Sequence, residues 1–200
     1  FVALAAGWPE KPVTEVEAKA GGFPRSDLTQ PLMHTLVAST FDESPGVRET
    51  AFRFLGLAPG LSIADEIVSE WADDPNPRVR FQYALALGNW EISGALEALA
   101  RIAIRDGADR WTRAAVLSGL NDRALHFLDG MMEDPGAAPH PSFMADLGRL
   151  VGATQAPRDL GQRHWLWPGG PGTDWKLAFW AAVAEAVRTH EKLESVESLT

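Results

Sequence analysis

Asp74-Pro-Asn-Pro-Arg-Val-Arg-Phe-Gln-Tyr-Ala-Leu-Ala-Leu-Gly88 has a counterpart upstream, Asp42-Glu-Ser-Pro-Gly-Val-Arg-Glu-Thr-Ala-Phe-Arg-Phe-Leu-Gly56. Both read D-x-x-P-x-V-R, then an apolar stripe, then Leu-Gly. Arg80 lies 32 residues after Arg48, and Asp74 lies 32 after Asp42. An internal period of this size is the signature of stacked helical pairs. A third copy is spelled more loosely: Asp106 is 32 residues after Asp74, and Arg113 is 33 after Arg80. Relative to the three arginines, Val47, Val79 and Thr112 stand at −1, and Ala51, Tyr83 and Val116 at +3. Phe52, Ala84 and Leu117 stand at +4, and Leu55, Leu87 and Leu120 at +7. That spacing is one face of an α-helix and does not fit a strand.

Working outward, the pattern predicts first helices near 44–56, 76–88, 109–120 and 141–152. A partial repeat at 28–41 precedes them. Repeats then span roughly 42–73, 74–106, 107–134 and 141–190, in one domain over 1–200. Ser44 with Pro45, and Asn76 with Pro77, read as helix starts, because a proline in the first turn loses no needed N–H. Gly56 reads as a left-handed stop. Ser62, with Asp65 three residues on, reads as a shortened capping box, and Ile63, Ile67, Val68 and Trp71 as the apolar face of that helix. Ser93 and Asp109 open further helices, with Leu96, Leu99, Ala103 and Ile104 inward on the former. Ala124 to Met132 is a short partner. Met144, Leu147, Leu150 and Val151 face inward on the fourth first helix, with Gly152 as its stop. Asp174 caps a last helix over roughly 175–190, with Leu177, Trp180, Ala184 and Val187 inward, and the tail from Glu191 frays. The expected fold is all-α, a right-handed solenoid of helical hairpins.

Composition sets further bounds. The 200 residues are 46% hydrophobic and 22% charged, with apolar material for a core. A net charge of −9 argues against a nucleic-acid surface, which must neutralise phosphates, and against docking on anionic lipid. The absence of cysteine rules out disulfides, thiolate zinc, iron–sulfur ligation and covalent c-type haem within these residues. The start, Phe1-Val-Ala-Leu-Ala-Ala-Gly7, has neither Met nor a basic region and reads as part of a longer chain.

The D-x-x-P-x-V-R and A-x-x-x-L-G units resemble HEAT-like repeats of the phycobilisome-lyase type. The longer run resembles the repeat region of large planctomycete and verrucomicrobial proteins: D-P-N-P-R-V-R-F-Q-Y-A-L-A-L-G-N-W, then A-L-x-x-L-A-x-I-A-x-R-D, then D-x-W-x-R-A-A-V-L-S-G-L. Phe143 to Gly152 fits their later repeats. Those proteins join a sugar-dehydrogenase-type propeller, a HEAT-like solenoid and a C-terminal c-type haem domain. The resemblance spans about 30–190 and implies a secreted or periplasmic, membrane-bound-dehydrogenase-like parent. This chain carries no C-x-x-C-H and no propeller, so no haem or dehydrogenase residue transfers to it.

Several constellations bear on function. Asp42, Arg48, Asp74, Arg80, Asp106 and Arg113 read as a structural ladder, each Arg bonding an Asp or a helix-end carbonyl of its own or the next repeat; an anion site is the competing reading. Trp165 and Trp167, in a Gly/Pro-rich loop, either cap the last repeat or form a platform for a partner or sugar. Trp71, Trp90 and Trp111 read as packing at repeat junctions. His34, His126, His140, His164 and His190 are scattered, without metal-ligand spacing. Asp73-Asp74 and Asp106/Asp109 read as helix stops and caps, since the ligand spacing of an EF-hand is absent. No catalytic, cofactor or metal residue is assigned. The expected function is a non-enzymatic scaffold docking other domains of the same polypeptide or a partner protein, without nucleic acid or membrane insertion. The alternatives are a direct part in haem-linked electron transfer or dehydrogenation, or a chromophore lyase.

Overall fold

A computed structural model describes residues 29–58, 65–90, 92, 94–120, 123–132, 138–154, 160, 163 and 173–197. Among these residues every regular element is an α-helix. In chain order they are α1 (Thr29–Ser39), α2 (Pro45–Leu55), α3 (Asp65–Ala72), α4 (Pro77–Leu87), α5 (Ala95–Asp106), α6 (Arg110–Ser118), α7 (Ala124–Met131), α8 (Pro141–Thr154) and α9 (Thr173–Glu197). The four expected first helices are α2, α4, α6 and α8. None of the helices among the described residues is long and apolar enough to cross a membrane. The chain forms two compact units, up to Ala95 and from Leu96.

In the first unit, α2 packs against α4, α1 against α2, and α3 against α4. The helix starts are set locally. The Asp42 carboxylate accepts the Ser44 N–H at 2.8 Å, and the Asp74 carboxylate accepts the Asn76 N–H at 2.8 Å. Each such turn hands the chain to a proline-led helix. Asn76 also caps α4 by accepting the Arg78 N–H at 2.9 Å. Ser44 makes no side-chain cap bond, so the expected serine cap is replaced by the Asp42 turn.

The repeated stripe is the core of this unit. Ala51, Phe52, Leu55, Val79, Tyr83, Ala84 and Leu87 are buried. Phe52, Trp71, Tyr83 and Trp90 form one aromatic cluster. Its ring centroids include Phe52–Tyr83 at 4.9 Å, Phe52–Trp71 at 5.2 Å and Trp71–Tyr83 at 5.6 Å. The Tyr83 hydroxyl donates to the Val68 carbonyl at 2.9 Å, and burial pushes its phenol pKa up. Carbonyls at the end of α2, unpaired within that helix, accept from beyond α4: Leu55 from the Trp90 indole at 3.1 Å, and Gly56 from Asn89 at 3.0 Å.

Gly56 corrects an expectation. Its φ of −63° is ordinary helical backbone, not left-handed. A Cβ there would lie 3.1 Å from the Ala86 Cα. The helix does end at this position, but what the glycine supplies there is room for the close approach of α2 to α4, a tertiary role rather than a left-handed turn.

In the second unit, α6, α7 and α9 all pack on α8. Asp109 caps α6, accepting the N–H groups of Trp111 at 3.1 Å and Thr112 at 2.9 Å. These bonds hold its carboxyl pKa below the ordinary value, the Thr112 N–H most of all. Met144, Leu147 and Val151 of α8 are buried, as expected, together with Phe143.

Three expectations fail at the end of the chain. Gly152 is not a stop, since α8 runs on to Thr154. A Cβ on it would come within 2.8 Å of the Ala186 Cβ, and one on Gly148 within 2.5 Å of the Phe179 carbonyl oxygen. This glycine pair, one turn apart, is the groove that receives α9. Second, α9 starts at Thr173 and continues through Glu197, so Asp174 sits inside its first turn and the tail remains helical where fraying was expected. Third, the inward face of α9 is Trp175, Phe179, Ala182 and Val183. Leu177 is 50% exposed, Ala184 is exposed, and Trp180 and Val187 are half-buried. The stripe read as inward thus lies mostly away from α8. The reason is the α8 groove, which selects the side of α9 that fits glycine.

Ile63, Ser62, Ser93 and His164 lie outside the described residues.

Candidate docking surface

The repeated arginines share one local arrangement. Arg48 donates from Nη1 to the carbonyls of Asp42 at 2.8 Å and Glu43 at 3.1 Å. Arg80 donates from Nη1 to the Asp74 carbonyl at 2.5 Å. Arg113 donates from Nη1 to the carbonyls of Gly107 at 3.3 Å and Ala108 at 2.8 Å. In each case the guanidinium folds back from the first turn of its helix onto the turn that precedes it. Arg80 is only 3% exposed. An arginine suits this place, because its planar fork serves several acceptors at once.

The remaining guanidinium edge of Arg48 reaches the turn that leads into α4, and that of Arg113 reaches α8 itself. Arg48 holds the Asp74 carboxylate through Nε at 2.6 Å and Nη2 at 3.0 Å. Arg113 on α6 holds the Asp146 carboxylate of α8 through Nε at 2.6 Å. The hydrogen bond to Asp74, more than any other influence, holds the Arg48 guanidinium protonated above its ordinary range. Of the residues read from the sequence, then, Arg48 is joined to the Asp74 side chain and to the Asp42 backbone, not to the Asp42 carboxylate. Arg113 takes an acceptor, Asp146, that repeat spelling does not single out. Asp146 lies inside α8, where the sequence has no D-x-x-P to mark it.

Further pairs among the described residues escape the sequence reading, Arg149–Asp146 within α8 being one. Arg163 forks onto Asp129 at the end of α7, at 2.7 and 2.6 Å. Arg78 reaches Glu49 from α4 to α2 at 3.1 Å on the surface. Only the 29-residue separation of the latter, close to the repeat period, carries a hint.

The tryptophans divide. Trp71 and Trp90 are buried as expected, and the Trp71 indole N–H is buried without a hydrogen-bond partner among the described residues. Trp111 corrects the packing expectation: it is 60% exposed, with the Arg110 guanidinium 4.3 Å over its ring. Its place in the first turn of α6, beside a capped start, points it to solvent. Trp165 and Trp167 lie outside the described residues.

The second unit also holds an open cleft of about 430 Å³, lined in part by Ile104, Arg105, Pro139, His140, Asp174 and Trp175. It gathers a guanidinium, an imidazole and a carboxylate over apolar walls. The His140 Nδ1 accepts the Ser142 N–H at 3.3 Å, so this histidine acts as a cap at the start of α8. Lys176 places its ammonium 5.4 Å from the Trp175 ring. Among the described residues no three His, Cys, Asp or Glu side chains gather as a metal site. Each unit offers helix starts joined by charge-assisted bonds. Leu57 and Arg78 are exposed on the first, Arg110 and Trp111 on the second. Comparison with protein-family models, with curated proteins and with solved structures gives no match.

Proposed function

We propose that this chain is a non-enzymatic α-solenoid scaffold that docks other domains of its own polypeptide or a partner protein. The HEAT-like resemblance makes that polypeptide a secreted protein of dehydrogenase–cytochrome type. One observation supports the reading above others: Arg48, Arg80 and Arg113 each direct donors to the preceding turn, and Arg48 and Arg113 also bind a carboxylate at the next first helix or in the turn that leads into it. Such bonds fix the register of one helical pair on another, the task a repeat protein sets its recurring residues. Stacked pairs present extended surfaces for a partner and need no reacting group.

The test is calorimetric titration of this chain with each neighbouring domain of the same polypeptide, expressed separately. Saturable binding to one of them supports docking. Failure to bind any of them overturns docking within the polypeptide and leaves only a separate partner protein. A haem absorbance band acquired on incubation with haem would move the segment into the electron-transfer class instead.

A further inference from the structure

Helix α9 has a second apolar face. Taken at 100° per residue, Asp174, Leu177, Ala181, Ala184 and Arg188 fall on one side of it, and all five are exposed. The opposite side, Trp175, Phe179, Ala182 and Val183, is buried in the second unit. Leu177 is among the few large apolar side chains that are at least half exposed. It stands beside two alanines whose small size lets another helix approach closely.

A further hairpin of the same repeat is a poor occupant for this face. In α2, α4 and α6 the fourth helical residue is the ladder arginine: Arg48, Arg80 and Arg113. Through it Arg48 holds the turn that leads into α4, and Arg113 holds α8. In α8 the same position is Met144, which is fully buried. The ladder has no donor at α8 to pass on.

A second copy fits better, and its fit is set by charge. Asp174 and Arg188 each lie seven residues from Ala181, about 10 Å along the axis on either side. If two α9 helices cross antiparallel at Ala181, Asp174 of each stands opposite Arg188 of the other. The pairing occurs twice, as a two-fold interface requires. Leu177 then lies against the Glu185 turn of the second copy. A parallel pairing would instead oppose like charges. We propose that the outer face of α9 is a self-association surface, on which two copies of this chain pair antiparallel about Ala181. The proposal does not depend on the docking function above.

Sedimentation equilibrium of the full chain reads it directly. The expected result is reversible association from 21.7 kDa to twice that mass, below about 100 μM. Asp174→Lys and Arg188→Glu should each weaken association by about tenfold or more, since each sets like charges opposite one another twice. The double reversal should restore it. The chain has no cysteine, so Ala181→Cys should form a disulfide-linked dimer under mild oxidation, whereas Leu57→Cys, also exposed but in the other unit, should not. These positions are exposed, and an unchanged circular-dichroism melt shows that the variants fold. A chain that stays at 21.7 kDa, an association unmoved by both reversals, or equal cross-linking of the Ala181→Cys and Leu57→Cys variants would each overturn the proposal. The first of these would leave the face to a different protein.

Discussion

Arg48 and Asp74 are 26 residues apart and form a two-pronged ion pair, Nε to Oδ2 at 2.6 Å and Nη2 to Oδ1 at 3.0 Å. Both side chains are about nine-tenths out of water, at 11% and 8% exposure. The same Asp74 oxygen that meets Nη2 also accepts the Asn76 N–H. One carboxylate therefore does two things: it shapes the turn into α4, and it anchors α4 to α2.

Removing that carboxylate strands a buried guanidinium. Asp74→Ala should cost about 2–4 kcal/mol in urea unfolding. Arg48→Ala should cost a similar amount, because it takes the counter-charge from a carboxylate left with the Asn76 N–H and the guanidinium donors from two carbonyls. In a double-mutant cycle the two losses should fall short of additive by about 1 kcal/mol or more. Additive losses would mean that the residues stabilise their own turns independently.

Glycines separate by their surroundings. Gly148→Ala drives a methyl toward the Phe179 carbonyl oxygen, 2.5 Å from where the Cβ would sit, and should destabilise by about 1–3 kcal/mol. Gly130, in α7, has nothing within 4 Å of the same position. Gly130→Ala should therefore stabilise, by about 0.5–1 kcal/mol, through lost freedom of the unfolded chain. Thermal melts of the two variants should move in opposite directions.

Trp71 and Trp90 are both buried, but they differ in one bond. The Trp90 indole donates to the Leu55 carbonyl, whereas the Trp71 indole N–H has no partner among the described residues. Trp90→Phe takes one of two donors from the Leu55 carbonyl, which keeps the Ala58 N–H at 2.9 Å, and should cost about 0.5–1.5 kcal/mol beyond the lost volume. Trp71→Phe removes an orphan donor along with the same volume, and should be the milder change. Equal losses in urea melts would show that Trp71 has an acceptor.

The Asp109 cap should be visible in the pH dependence of stability. Its carboxyl pKa is lowered in the folded state from an ordinary 3.8. Its contribution is thus complete above that ordinary value and is lost as pH falls through the lower folded value. Asp109→Ala should cost about 0.5–2 kcal/mol at neutral pH, and the difference from the parent should close in strong acid. Asp109→Asn, which can still accept the Trp111 and Thr112 N–H groups, should retain most of the stability at both ends. Comparison of unfolding curves at neutral and acid pH checks this.

Much of this molecule follows from local rules. The period of the arginines, the proline-led starts and the stripe through Ala51, Phe52 and Leu55 need only neighbours along the chain. The first helices α2, α4, α6 and α8 therefore stand close to where the sequence puts them. The candidate docking surface is less legible. Arg48, Arg80 and Arg113 can be picked out, but Asp146 cannot, because its partner is fixed by how α6 lies on α8. Trp111 looks like Trp71 and Trp90 in the sequence, and only its place in the first turn of α6 turns it to solvent.

Helix α9 shows the division most clearly. Its sequence carries two apolar stripes, one through Trp175, Phe179 and Val183 and one through Leu177, Trp180 and Ala184. Helical periodicity establishes that both exist and cannot rank them, since each satisfies the same spacing. The choice falls to shape: Gly148 and Gly152 open a groove in α8 that brings the α9 backbone to contact distance, and only the first stripe lies on the side that enters it. The same holds for Gly56, which reads as a helix stop in one dimension. In three dimensions α2 does end there, but with a φ of −63°, and the missing Cβ admits Ala86, because steric fit is a property of two surfaces and the sequence specifies them one at a time.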